Sequence, residues 1–202
     1  MRQVLVVIAL ACLAVSAHAS TVFSDGFNFT PPATGPFATV NAGGTIGPWT
    51  VGSGSVDWIT GYWQPAEGNG SVDLSGNTDG SISTILNTVV GQAYTVNFYM
   101  AGNPDNPAVG PTIKTLDLQA GSLDETFIFD TTGHTLGSMG WVLETAVFTA
   151  TSTQTTLTFT SQAGTAYGPA LDGVTVTTVP EPATCAFALL GLAGIGLFRR
   201  RW

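Results

Sequence analysis

Between Ser20 and Val179 the apolar residues return at every second position, and no stretch sustains the three-and-four spacing of an amphipathic helix. Tyr94, Val96, Phe98 and Met100 fall on one side, with Thr95, Asn97 and Tyr99 on the other. Leu157 and Phe159 alternate with Thr156, Thr158 and Thr160, and Val174 and Val176 alternate with Thr175 and Thr177. A two-residue period turns one face of a strand to a core and the other to water. Further strands are expected over 56–59, 71–75, 81–86, 113–118, 125–130 and 141–149. Turn-forming clusters separate them, such as Gly76-Asn77-Thr78-Asp79-Gly80 and Asn103-Pro104-Asp105-Asn106-Pro107. The chain holds 30 Thr and 25 Gly, both weak helix formers. Nine or ten short strands in a single domain predict an all-β fold, an antiparallel β-sandwich without internal repeats.

Charge narrows the function. Only 9 % of residues are charged, against roughly 25 % in an average soluble domain. The segment 20–179 carries twelve acids and one base, Lys114, a net of −11. Nucleic-acid binding is excluded, because counterion release needs a basic surface. Docking of the body on anionic lipid is disfavoured for the same reason. The two cysteines, Cys12 and Cys185, both lie outside this segment. The body therefore has no disulfide, no zinc-thiolate site and no cysteine nucleophile.

The ends read as targeting units. Residues 1–19 form a signal peptide: Met1-Arg2-Gln3 is a short positive start, Val4 to Val15 is apolar, and Ala17-His18-Ala19 is an A-x-A cleavage site for signal peptidase. Twelve apolar residues fall short of the roughly 20 that span a bilayer. The domain is expected over 20–178 and a second targeting unit over 179–202. That unit opens on Pro180-Glu181-Pro182, continues with an uncharged stretch expected as a transmembrane helix over 183–198, and ends on Arg199, Arg200 and Arg201 in a basic tail, 199–202. At about 1.5 Å per residue the helix reaches roughly 24 Å, and the arginines snorkel at its cytoplasmic end. This order of motif, apolar helix and basic tail resembles the PEP-CTERM sorting signal. The resemblance implies processing by an exosortase of a Gram-negative bacterium, a transient membrane anchor, and release to the cell surface or extracellular matrix of a biofilm.

The blocks GSVDWITGYW (54–63), SVDLSG (71–76), GQAYTVNFYMAGNP (91–104), KTLDL (114–118), MGW (139–141), FTA (148–150) and GPALDGVTV (168–176) resemble the choice-of-anchor C family. That family is similar to plant cell-wall domains of the galactose-binding-like jelly-roll class, so the resemblance implies a galactose-binding-like jelly roll. Jelly rolls of this class often hold one structural calcium between an acid near the N-terminus and an acid in the last strand. By position those are Asp25 and Asp172, with Asp73 a weaker third, each with a turn-stabilising role as the alternative.

Catalysis is not expected. His134 is the one histidine left after signal removal, and it sits in the polar turn Asp130-Thr131-Thr132-Gly133-His134-Thr135. Scattered acids are ordinary on an acidic exported domain, so a paired-carboxylate glycosidase has no specific support. The stronger motif is aromatic: Trp58, Tyr62 and Trp63 cluster with Asp57 and Gln64, and Trp49 is near in sequence. Sugar sites place flat rings against a pyranose and carboxylates or amides against its hydroxyls. Packing is the alternative, and for Trp58 and Trp141 it is the stronger one. A coplanar, exposed Tyr62 and Trp63 beside Asp57 would mark a sugar platform; a buried pair would mark a structural part. Two function classes follow: an exported, non-catalytic carbohydrate-binding module for exopolysaccharide, or a structural and adhesive envelope protein that recognises another protein.

Overall fold

The computed structural model describes residues 18–28, 35–105 and 110–180. The expected signal peptide up to Ala17, the helix over 183–198, and Glu181, Pro182 and Arg199 to Arg201 lie outside the described residues. Ala19 is described and exposed. Ser20–Val179 forms one compact unit.

Thirteen strands are described and no helix: β1 (Thr21–Asp25), β2 (Phe37–Asn41), β3 (Thr45–Ile46), β4 (Trp49–Ser53), β5 (Ser55–Ile59), β6 (Ser71–Asp73), β7 (Ser81–Asn87), β8 (Ala93–Gly102), β9 (Ile113–Ala120), β10 (Leu123–Asp130), β11 (Val142–Thr149), β12 (Gln154–Ser161) and β13 (Pro169–Thr178). They build a sandwich. The first sheet has the order β11-β8-β13-β6-β5-β2, and the second β10-β9-β12-β7-β4-β3. Every described pairing is antiparallel. One long side of β13 serves two short strands, with Ala170 and Leu171 beside β6 and Val174 to Thr177 beside β1.

The alternation read from the sequence is what closes the core. Tyr94, Val96, Phe98 and Met100 are buried at 0–2 % exposure, as are Leu157, Phe159, Val174 and Val176. An aromatic chain threads between the sheets. Phe23 of β1 meets Trp49 of β4 edge-on at 5.3 Å, Trp49 meets Phe159 at 5.9 Å, and Phe159 meets Phe98 at 5.1 Å. Trp49 is therefore core and not part of an exposed aromatic cluster. On the outward face of the second sheet one row is polar across all six strands, Thr45, Thr50, Ser83, Thr158, Gln119 and Asp124, and the same face also exposes Ile85 and Ile128. Four of the six residues of that row are uncharged hydroxyls, which is how so weakly charged a domain solvates much of its surface.

Four strands, β1 to β4, fall in the segment 21–53, where the sequence pattern predicts none. They are two to five residues long, and two of them, β1 and β2, are half-exposed or exposed throughout, so their alternation in apolarity is faint.

Candidate functional site

The first sheet has an outer face that is partly roofed. Thr39, Asp57, Asp73 and Ala170 stand opposite one another in a single cross-strand row from β2 to β13. Strand alternation sends Val56 and Trp58 to one side and Asp57 and Ile59 to the other, where Ile59 too is buried. The segment after β5 then folds back over that side. Trp63 Nε1 donates to Ser71 Oγ at 2.8 Å, Gln64 N donates to Leu136 O at 2.9 Å, and Trp141 Nε1 donates to Gln64 O at 2.8 Å. Ala66 N and Glu67 N both donate to Asp172 Oδ2, at 2.8 and 3.0 Å.

Beside this roof lies a cleft of about 240 Å³, walled by Phe37, Tyr62 and Tyr167 and floored by Asp57 and Asp73, with Asn77, Asn103 and Asp105 at its rim. Phe37 is 39 % exposed and meets Tyr62 edge-on at 5.3 Å. The Tyr62 hydroxyl donates to Asp105 Oδ2, which fixes the ring and pushes its own pKa up to about 12. Asp57 is half-buried and accepts Thr39 Oγ1 at 2.5 Å; burial raises its pKa. Asp73 is 1 % exposed with both oxygens engaged, accepting Ser75 N and Gly168 N on Oδ1 and Asn103 Nδ2 on Oδ2. Burial pushes it up to about 7, and Asp57 directly opposite adds to the rise against the opposing hydrogen bonds.

Of the five residues expected at a sugar site, the fold brings Asp57, Tyr62 and Trp63 to this cleft. Trp58 is core instead, 5 % exposed, its Nε1 donating to Phe27 O at 3.0 Å. Gln64 does not line the cleft; its backbone ties the roof to Leu136 and Trp141. Trp63 is also only 5 % exposed, and its ring is tilted 54° from Tyr62 at 5.9 Å, so the two do not form a coplanar exposed platform. The cleft draws its remaining walls from residues that carry no binding signal in the sequence. Asn103 and Asp105 read there as turn punctuation, and Phe37 lies in the faint N-terminal segment.

The two acids assigned to calcium do reach neighbouring strands, Asp25 standing opposite Val174 of β13. Their donor set is a hydrogen-bonding one. Asp25 accepts Phe27 N at 3.0 Å on one oxygen and Trp49 Nε1 at 2.7 Å on the other. Asp172, fully buried, accepts Ala66 N, Glu67 N and Gly173 N, and burial pushes it up to about 7. Among the described residues no three of His, Cys, Asp and Glu gather as a metal cage. As placed, the pair does not fit a calcium site of six to eight oxygens. His134 is not a free loop residue either. It is half-buried, 5.2 Å from the Phe129 ring, and a side chain on Gly140 would meet it at 2.1 Å.

The fold has counterparts among solved structures. The CBM22-1 xylan-binding domain of Paenibacillus barcinonensis Xyn10C aligns over 83 % of this chain and all of its own, with 14 % identity and a TM-score of 0.52. A cyclase from Fischerella sp. TAU aligns over 82 % of this chain and all of its own, with 15 % identity and a TM-score of 0.53. At such identities the likeness is one of fold, and a binding domain and an enzyme share it. Halomucin of Haloquadratum walsbyi is 33 % identical over 141 residues, 66 % of this chain, which spans about 1 % of that relative's length. Residues 178–201 match the PEP-CTERM protein-sorting motif, as read from Pro180-Glu181-Pro182, and that motif implies export to the cell envelope or surface. Residues 22–177, nearly the whole sandwich, match the family described as "Protein of unknown function (DUF642)", and the chain belongs to that family.

Proposed function

We propose that this exported protein is a non-catalytic carbohydrate-binding module, processed by an exosortase and acting at the cell surface or in the extracellular matrix, with exopolysaccharide as its ligand. The cleft carries the reading: aromatic walls from Phe37, Tyr62 and Tyr167 stand around a carboxylate floor. At about 240 Å³ it is smaller than the roughly 300–1,000 Å³ of drug-sized sites, which suits a single sugar unit or a chain end. The xylan-binding domain with the same two-sheet fold supports the reading without deciding it. The absence of catalysis is supported by Asp73, whose three protein hydrogen bonds and burial keep it from reaching a glycosidic oxygen as a general acid. A structural envelope role, with a protein partner and no sugar, draws on the buried Trp63 and its tilt from Tyr62.

Affinity electrophoresis of the full chain in neutral detergent, through gels carrying different polysaccharides, tests the choice. Retardation by at least one polysaccharide, reduced in a folded Tyr62→Ala variant, is the expected result. Unhindered migration of folded protein through every gel rejects the sugar reading and leaves the envelope role.

A further inference from the structure

We infer that the cleft takes an uncharged sugar unit and rejects uronate, sulfated and phosphorylated ones, an inference that rests on the carbohydrate reading above. The polar side chains around the cavity are carboxylates, amides and hydroxyls, with no cation among them, and the Thr39 and Tyr62 hydroxyls already donate to Asp57 and Asp105. Asp57 and Asp73 form its floor, Asp105 and Asn103 one side, and Asn77 another. The single cation available in 20–179 is Lys114, and it is withdrawn: 2 % exposed, absent from the cleft lining, its Nζ donating to the carbonyl of Tyr167 at 2.7 Å behind the wall. An anionic sugar entering the cleft would face Asp57 and Asp105 in a desolvated space, with no positive side chain among the described residues to receive it.

A neutral sugar meets the opposite situation. Its hydroxyls donate, and a carboxylate has room for about four such bonds, of which Thr39 Oγ1 takes one at Asp57. Asp73 already accepts three protein donors and is 1 % exposed, so it shapes the floor, while the half-buried Asp57, with one protein donor, is the acceptor more open to the ligand. Gly76 keeps that carboxylate reachable: a Cβ there would stand 3.1 Å from Asp57 Oδ1 and 2.9 Å from Ser55 Oγ. The rings of Phe37, Tyr62 and Tyr167 supply apolar contact to the faces of the sugar, and that contact is indifferent to ionic strength.

The test compares the full chain in neutral detergent against neutral polysaccharides (xylan, glucomannan, galactan) and acidic ones (polygalacturonate, alginate), at low and at raised salt, in the wild type and in Asp57→Asn. The expected result is retardation by one or more neutral polysaccharides, insensitive to salt, and none by the acidic pair. Asp57→Asn should weaken the neutral binding on the order of tenfold, because a charge-assisted acceptor becomes a neutral one. Retardation by an acidic polysaccharide and by no neutral one overturns this inference and leaves the carbohydrate reading standing. Neutral binding that is unchanged in Asp57→Asn overturns it as well. No retardation in either class removes the carbohydrate reading itself.

Discussion

Asp25 holds a buried phenylalanine in a conformation that residues with a Cβ avoid. Phe27 has φ of 55° and is fully buried, stacked 5.8 Å from Trp49, and Asp25 accepts both the Phe27 amide and the Trp49 indole N–H. Such a left-handed bulky residue costs about 1–3 kcal/mol and persists only where its surroundings hold it. Asp25→Ala strands the indole donor and frees the corner, so a loss of about 2 kcal/mol is expected in urea unfolding. EDTA should leave the wild-type midpoint unchanged. A midpoint that drops with EDTA returns calcium to Asp25 and Asp172. Trp63 calls for a second measurement at the same scale. Its ring is buried and bonded to Ser71, so Trp63→Ala should lower stability by about 3–5 kcal/mol, as for a core aromatic. A Trp63→Ala protein of wild-type stability would mean the ring is a surface platform after all.

Strands β4 and β5 are separated by one residue yet belong to different sheets, so the chain crosses the sandwich at Gly54. That turn needs glycine twice over. Its φ is +51°, and a Cβ would lie 1.9 Å from the carbonyl oxygen of Asp79. Gly54→Ala is expected to destabilise by about 2 kcal/mol or more, read as a lower urea midpoint with an unchanged slope. A Gly54→Ala protein that keeps the wild-type midpoint would show that the crossing tolerates a side chain. Of the two strands at this crossing, the sequence pattern shows β5 and misses β4. The long strands β8 and β12 are buried largely on alternate residues and β13 along most of its length, whereas β2 runs from exposed to half-buried and has little apolar contrast. Its Phe37 and Thr39 matter to the cleft because of what they pair with, Ile59 and Asp57, and pairing is not written in a strand's own residues.

Across the whole sandwich, buried acids set the response to pH. Asp73 and Asp172 are both pushed up to about 7 from 3.8, and Asp25 and Asp57 are raised as well, each chiefly by burial. Between pH 4 and 7 the folded protein therefore holds protons that the unfolded chain releases, and stability falls as pH rises through that window. Thermal unfolding should give a higher midpoint near pH 4.5 than near pH 8, with a shallower dependence in Asp73→Asn; a midpoint that climbs steadily from pH 4 to 8 contradicts this. The cleft sits at one end of the ten-residue strands β8 and β13, by Gly102 and Pro169, and Val179 leaves from the other, paired with Ala93. From the sequence alone came the β period, the lack of thiols and the single cation in the body, and the sorting motif, because each is a property of neighbouring residues or of simple counts. How deeply Trp63 is buried, which donors Asp25 and Asp172 accept, and which residues enclose the cleft follow only from the tertiary structure. A two-residue period tells which side of a strand a residue takes, but not whether a distant loop will cover that side, and Phe37 meets Tyr167 at one cleft only after the whole chain has paired.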